Sequence, residues 1–285
     1  MDDSAEETAG GAGAGSSRNP SPRAHMHVLE MFDLTGKVSV ITGAGNGLGY
    51  QIAEAMAEAG SDVVCADIDM ERNEAAAARV RAIGRKALTV RCDVTREADV
   101  AALFKLADST FGRVDIAFAN AGIADAVPQP LHDYPTDNWN AVLAVNLQGV
   151  FYTDREALKI MVRQGSGKVI NVASMWGLAG ASSVAPLPAY NAAKGAVVNL
   201  TRELALQYAT QNIQINAICP GFFRTRLADG KYDDPDFVAA VTAFTPMSRV
   251  ADASEIKGTA LYLASGASSF TTGLMLVTDG GCMDK

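Results

Sequence analysis

Ser174, Tyr190 and Lys194 are the residues of this chain whose types and spacing could carry out a reaction. Tyr190-Asn-Ala-Ala-Lys194 follows Pro188, and a helix starting there sets the phenol and the ammonium four residues apart on one face. A free phenol has a pKa of about 10, so about one in a thousand is ionised near neutrality, and a fixed cation beside it favours the phenolate. Each unit of such a shift is worth about 1.4 kcal/mol. The expected chemistry is general acid/base catalysis on an alcohol or carbonyl oxygen, with Ser174 holding the same oxygen. An isolated Tyr-x-x-x-Lys pair is usually an ordinary amphipathic couple, so the reading depends on the elements that position it.

Those elements are short apolar runs at 38–42, 62–66, 87–91, 114–119, 168–172, 213–219 and 274–277, separated by stretches of helix length. Several are apolar on both faces. Strands buried on both sides and joined through helices predict an α/β fold, a doubly wound, seven-stranded parallel sheet of the Rossmann type, as a single domain over 32–285. Residues 2–24 hold no large aliphatic or aromatic side chain and are rich in Ala, Gly, Ser and Pro, so 1–31 reads as a disordered tail, with Met26 or Met31 as alternative starts.

The first predicted strand runs into Thr42-Gly43-Ala44-Gly45-Asn46-Gly47-Leu48-Gly49 and then a good helix former from Tyr50. Strand, glycine-rich turn and helix together make a place where backbone can approach a pyrophosphate and unpaired N–H groups can meet it. A tight structural turn is the plain alternative. The second strand ends at Asp67, where a carboxylate accepts both adenine-ribose hydroxyls and repels a 2′-phosphate, so NAD is expected over NADP. Asp69 competes for that role, and Arg72 is a nearby cation that would soften the exclusion.

Composition narrows the partners. A chain of 285 residues with 48% hydrophobic content buries a large core, and a formal charge of −8 disfavours a nucleic-acid surface. Cys65, Cys92, Cys219 and Cys282 show no C-x-x-C spacing, and His25, His27 and His132 are not clustered, so no metal site is expected. The first three cysteines fall in or beside apolar runs, as buried reduced thiols of a cytoplasmic protein do, whereas Cys282 reads as potentially exposed. The uncharged stretch 169–193 is broken by Pro186, Pro188, serines and asparagines and is not read as a membrane span. No secretory signal is read at the N-terminus.

Taken together, these motifs resemble the short-chain dehydrogenase/reductase family over roughly 32–281. Thr42-Gly-x-x-x-Gly47-x-Gly49 is similar to its cofactor turn. Asn120-Ala121-Gly122 matches its Asn-Ala-Gly motif, though Ala119 stands where a second Asn is commoner, and Asp93-Val94 resembles the pair that meets adenine. The resemblance implies a catalytic tetrad of Asn146, Ser174, Tyr190 and Lys194. In it Tyr190 is the acid/base, Lys194 lowers its pKa and holds the nicotinamide ribose, Ser174 orients the substrate oxygen, and Asn146 binds a water that relays protons. It also implies cofactor contacts at Gly43, Gly45, Asn46, Gly47, Leu48, Gly49, Asp67, Ile68, Asp93, Val94, Asn120, Ala121 and Gly122, and again from Tyr190 and Lys194. Pro220-Gly221, with Phe222 and Thr225, resembles the stretch that meets the nicotinamide carboxamide. A homotetramer is implied as well, consistent with apolar residues on more than one face of helices around 137–163 and 187–209. Fifteen residues separate Ser174 from Tyr190, more than is usual for the family, so the loop 179–189 is expected to shape the substrate pocket.

Substrate choice is expected to reside in that loop, the segment after Gly122 and a lid-like stretch at 222–249. There Phe222, Phe223, Leu227 and Phe244 could form an apolar pocket while Arg224 and Arg226 bind a carboxylate, solvated loop arginines being the alternative. Similarity to gluconate 5-dehydrogenase-like members points to a polyol or sugar acid. The alternatives are an NADPH-dependent ketoreductase like the 3-oxoacyl-carrier-protein reductases, and a non-catalytic nucleotide-binding scaffold.

Overall fold

The computed structural model describes residues 27–284 apart from 226, 228 and 229. Of the stretch 1–31 expected to be a tail, only 27–31 fall within them, and Val28–Phe32 form a 3-10 turn with a capping box between His27 and Glu30.

Seven strands form one parallel sheet among the described residues: β1 (Val38–Thr42), β2 (Asp62–Asp67), β3 (Ala87–Arg91), β4 (Ile116–Ala119), β5 (Gly167–Val172), β6 (Ile213–Pro220) and β7 (Met275–Thr278). Their order across the sheet is β3-β2-β1-β4-β5-β6-β7. All seven predicted runs are found, shifted by two residues or fewer at either end.

The helices are α1 (Gly47–Glu58), α2 (Met70–Ala82), α3 (Glu97–Phe111), α4 (Thr136–Leu143), α5 (Gly149–Gln164), α6 (Pro188–Tyr208), α7 (Pro235–Phe244) and α8 (Ile256–Ala264). Side chains alternate between faces along a strand, and here both faces are covered. Ile41, Ile116, Phe118 and Ile170 pack with Ile52, Met56 and Val80 of α1 and α2 and Leu263 of α8. Val40, Ala117, Val169 and Ile215 point the other way, to Leu103 and Phe104 of α3 and Ile160 and Met161 of α5. This two-sided burial is why the strands read as unbroken apolar runs.

The strand order reverses direction between β1 and β4, which opens a crevice at the C-terminal edge of the sheet, the usual ligand position in such folds. The turn after β1 and the Asn-Ala-Gly motif after β4 both end there. Cys282 is buried against Val142 and Ala189, which corrects the expectation of exposure, and the other three cysteines are buried as expected. Among the described residues no helix is long and apolar enough to cross a membrane.

Candidate active site

The crevice is built from backbone on one side. Gly43 has a left-handed φ of +66°, and a Cβ there would come within 2.9 Å of Ala121 Cα. A Cβ on Gly49 would strike the Gly43 carbonyl and come to 2.5 Å of Asn120 Nδ2. Only glycine lets the first turn of α1 sit this close to the strand ends. Asn120 locks the arrangement, donating from Nδ2 to the Thr42 carbonyl at 2.9 Å and the Gly43 carbonyl at 3.2 Å. Thr42 Oγ1 accepts from the N–H groups of Asn120 and Ala121.

Asn46 caps α1 by accepting from Gly47 N at 2.7 Å, and Leu48 packs into the core beneath. Thr225 faces Gly47 across the opening, 3.2 Å from where a Cβ would stand. A cavity of about 500 Å³ joins Gly45, Asn46 and Gly47 to Tyr50, Arg224 and Tyr232. An anionic group fits this cradle, because close-approaching glycines, a helix N-terminus and a guanidinium converge on it.

Asp67 spends both oxygens on backbone, Oδ2 accepting from Gly45 N and Oδ1 from Asp69 N, each at 2.9 Å. Arg72 lies beside this carboxylate, its Cβ at the Gly45 turn, and its Nε pairs with Asp69 at 3.2 Å. Ile68 is exposed next to Asp67. Asp93 caps its own turn through Thr95, while Val94 is buried against Gly149 at the start of α5. Gly221 N donates to Thr278 O at 3.0 Å, holding Pro220 and Gly221 to the end of β7.

On the other side of the crevice the groups are buried side chains. Tyr190 is the third residue of α6 and only 8% exposed. Burial pushes its phenol up to about 12, a hydrogen bond with Ser174 works against the rise, and Asp125 and Cys219 add to it. Lys194 is 3% exposed, donates from Nζ to the Val172 carbonyl at 2.7 Å, and lies 5.6 Å from the Tyr190 ring centre. Burial pulls its ammonium down to about 8. In the protein alone the loss of water around the phenol raises its pKa, and Lys194, expected to lower it, stands 5.6 Å from the ring centre.

Ser174 follows β5 in extended conformation and caps a 3-10 turn, Met175–Gly177, through Trp176 N at 3.1 Å. Asn146 sits in a π-helical turn, Ala144–Gln148, between α4 and α5, a distortion common at functional sites. Its amide oxygen accepts from Ile123 N at 2.8 Å and its Nδ2 donates to Ile123 O at 2.7 Å. One donor and one acceptor position remain on that amide for a water. A Cβ on Gly122 would lie 3.2 Å from Asn146 Oδ1 and 3.7 Å from Lys194 Nζ, so the four tetrad positions and the Asn-Ala-Gly motif meet at one place.

The lid residues divide. Phe222 and Phe244 join Trp176 in a cluster of rings with centres 5.8 to 6.2 Å apart, beside Tyr190. Phe223 turns instead into the α1/α8 core, and Leu227 is exposed, so neither lines that wall. Arg224 stacks on Tyr232 and donates to its carbonyl at 3.0 Å on the cofactor-turn side of the cleft. Arg226 lies outside the described residues. Asp125, which the sequence reading passed over, is buried and accepts from Tyr190 N at 3.2 Å and from the Tyr134 hydroxyl. Its sequence signal is faint: one acid in an otherwise apolar Ile-Ala-Asp-Ala-Val run.

The chain is similar to known proteins over most of its length. A family profile described as "Enoyl-(Acyl carrier protein) reductase" matches residues 43–283. The chain is 35% identical over 254 residues to the 5-keto-D-gluconate 5-reductase of Escherichia coli (strain K12), covering 89% of this chain and 98% of that protein. It is 40% identical over 245 residues to cis-4-hydroxycyclohexanecarboxylate dehydrogenase of Sinomonas cyclohexanicum, covering 86% and 96%. A solved gluconate 5-dehydrogenase from Burkholderia cenocepacia J2315, in complex with NADP and tartrate, superposes with a TM-score of 0.85 at 35% identity over 91% of this chain and 100% of that one.

Proposed function

This chain belongs to the short-chain dehydrogenase/reductase family and is an oxidoreductase with a nicotinamide nucleotide cofactor, and we propose that its substrate is a polyol or sugar acid, oxidised reversibly at a secondary alcohol. The observation that carries the reaction is the convergence of Ser174, Tyr190 and Lys194, and the substrate class rests on the similarity to the gluconate enzymes. When bound, the nicotinamide accepts or supplies the hydride.

The chain's own residues do the rest. Gly43, Gly45, Asn46, Gly47, Leu48 and Gly49 receive the pyrophosphate at the N-terminus of α1, and Arg224 meets the same charge from across the cavity. Asp67 and Ile68 border the ribose, Asp93 and Val94 the adenine, and Asn120 to Gly122 the middle of the dinucleotide. Pro220, Gly221, Phe222 and Thr225 close over the nicotinamide end. Ser174 orients the substrate oxygen, Tyr190 exchanges its proton, and Lys194 supports the phenolate. The free positions on Asn146 serve a water that passes the proton onward.

Cofactor choice turns on two side chains. The Asp67 carboxylate favours NAD, while the half-exposed Arg72 guanidinium, paired with Asp69, is placed to swing onto a 2′-phosphate. NADP is bound in the Burkholderia relative. Our reading is that both cofactors are used, with Arg72 serving NADP alone. Arg72→Ala should lower kcat/KM with NADP and leave NAD unchanged.

One observation favours a second substrate reading. The Trp176, Phe222 and Phe244 rings suit a ring-bearing hydroxy acid, in line with the substrate named for the Sinomonas relative. Turnover of gluconate-type acids, polyols and hydroxycyclohexanecarboxylates with NAD and NADP, beside 3-oxoacyl thioesters with NADPH, decides among these. Activity on thioesters alone would overturn the proposed substrate class.

A homotetramer is part of the proposal. Leu143, Leu147 and Phe151 border an open groove of about 590 Å³ along α4 and α5, and Phe151 is 44% exposed. A stable monomer in sedimentation at low micromolar concentration would sink it. Four buried thiols support a cytoplasmic location.

A further inference from the structure

The first turn of α6 carries the catalytic tyrosine, yet it has no cap of its own. Its N-cap position is Leu187, which has no side-chain acceptor, and Pro188 occupies the first helical position. The N–H groups of Ala189 and Tyr190 therefore need an acceptor from elsewhere, in a place shielded from water. Asp125 supplies one for Tyr190 from 65 residues away: its Oδ2 accepts from Tyr190 N at 3.2 Å, and the neighbouring Ala189 N–H favours the charged form of the same carboxylate.

The other oxygen accepts a hydrogen bond from the Tyr134 hydroxyl. That hydroxyl in turn accepts from Asn138 Nδ2 at 2.9 Å, and Asn138 Oδ1 accepts from Ala126 N at 3.2 Å. The result is a closed circuit from the segment after β4, through the start of α4, back to the residue beside Asp125. Asn146 grips the same segment two residues earlier, at Ile123.

We infer that Asp125 is a positioning residue for Tyr190: it caps the catalytic helix in trans and latches the substrate-side segment to that helix through Tyr134 and Asn138. A substrate that orders this segment thereby orders the phenol. The inference rests on the proposed acid/base role of Tyr190. The charged and titratable groups facing that phenol are Asp125 from this segment, Cys219 from β6, Lys194 from α6 and Tyr232 from the 3-10 turn Lys231–Asp233. Asp125 and Cys219 oppose ionisation of the phenol, and the Ser174 hydroxyl favours it.

Three variants test this in the full chain: Asp125→Ala, Asp125→Asn and Tyr134→Phe. Hydrogen exchange needs no substrate, so it stands even if the substrate class is wrong. In Asp125→Ala the peptide covering 187–194 should exchange faster while the first turn of α1 and the affinity for NAD(P)H stay as in the wild type. The kcat should fall about ten- to a hundredfold from a misplaced phenol, and Asp125→Asn, which keeps an acceptor, should restore most of it. Asp125→Asn should also move the pH limb of alcohol oxidation to lower pH, because a negative charge facing the phenolate is gone. A merely structural residue would leave that limb in place. Unchanged exchange at 187–194 in Asp125→Ala, or an unmoved pH limb in Asp125→Asn, overturns the inference. If Asp125→Ala does not fold, the exchange reading passes to Tyr134→Phe and the kinetic one to Asp125→Asn, with the same criteria.

Discussion

The two walls of the crevice are made by different means. On the side of the glycine-rich turn, glycines and main-chain N–H groups form much of the surface, and Asn120 and Asp67 hold it in shape by gripping backbone. On the substrate side, Tyr190, Lys194 and Asp125 are all less than a tenth exposed, and the loss of water shifts the proton affinity of each. The first wall is a shape, sensitive to a single methyl group. The second is a set of charges and protons, sensitive to pH and to chemical identity at constant shape.

The largest effect that would separate them is Tyr190→Phe, which keeps the shape and removes the proton. Turnover should fall about 10²- to 10⁴-fold, with NAD(P)H binding retained in a fluorescence titration; comparable loss of binding would mean the walls are not separate. Gly49→Ala is the converse. Its added carbon meets the Gly43 carbonyl and Asn120 Nδ2, an overpacking cost of about 1–3 kcal/mol. Cofactor affinity should weaken about ten- to a hundredfold, while the pH profile of the residual activity keeps its form.

That profile is the next test. With Tyr190 pushed up to about 12 and Lys194 down to about 8, the resting site at neutral pH holds a protonated phenol beside a charged ammonium. Ketone reduction needs that state and should be nearly flat toward acid. Alcohol oxidation needs the phenolate and should rise about tenfold per pH unit. The rise should flatten above about 8, where Lys194 loses its charge. An oxidation rate indifferent to pH would remove Tyr190 from the role of base.

The smallest effect lies behind the substrate wall. Asp154 of α5 is buried with Asn171 of β5 and Thr201 of α6, and burial lifts its carboxyl to about 7. Between about pH 4, where the unfolded carboxyl titrates, and about 7, the native state holds a proton that the unfolded chain has lost, so stability falls as pH rises through that window. Above it the loss is constant. Asp154→Asn should melt like the wild type near the acid end and a few degrees higher above neutrality. Its amide would also offer a donor to Asn171 Oδ1, which lacks one. A variant that melts lower at alkaline pH would refute the assignment.

The sheet was legible in the sequence because its inner strands are buried on both faces and so read as apolar runs whatever their neighbours. The nucleotide wall was legible for a related reason. Gly43 to Gly49 and Asn120 to Gly122 are short contiguous motifs whose conformational demands belong to the residues themselves. Tyr190 and Lys194 were legible too, since four-residue spacing on a helix is local. What the sequence by itself could not decide were quantities that exist only once distant segments meet. Phe223 and Leu227 looked equivalent to Phe222 until the chain turned one into the core and the other to solvent. Arg224, read from the sequence as a carboxylate binder or a solvated loop side chain, is held by Tyr232 beside the glycine-rich turn. The proton affinities of Tyr190 and Lys194 depend on how much water the fold removes, a sum over many neighbours, and the first turn of α6 is capped by Asp125, 65 residues before Tyr190. Local sequence determined which groups are present and on which elements. Tertiary structure decided how dry they are and what holds them, because desolvation and long-range hydrogen bonds are properties of the assembled surroundings.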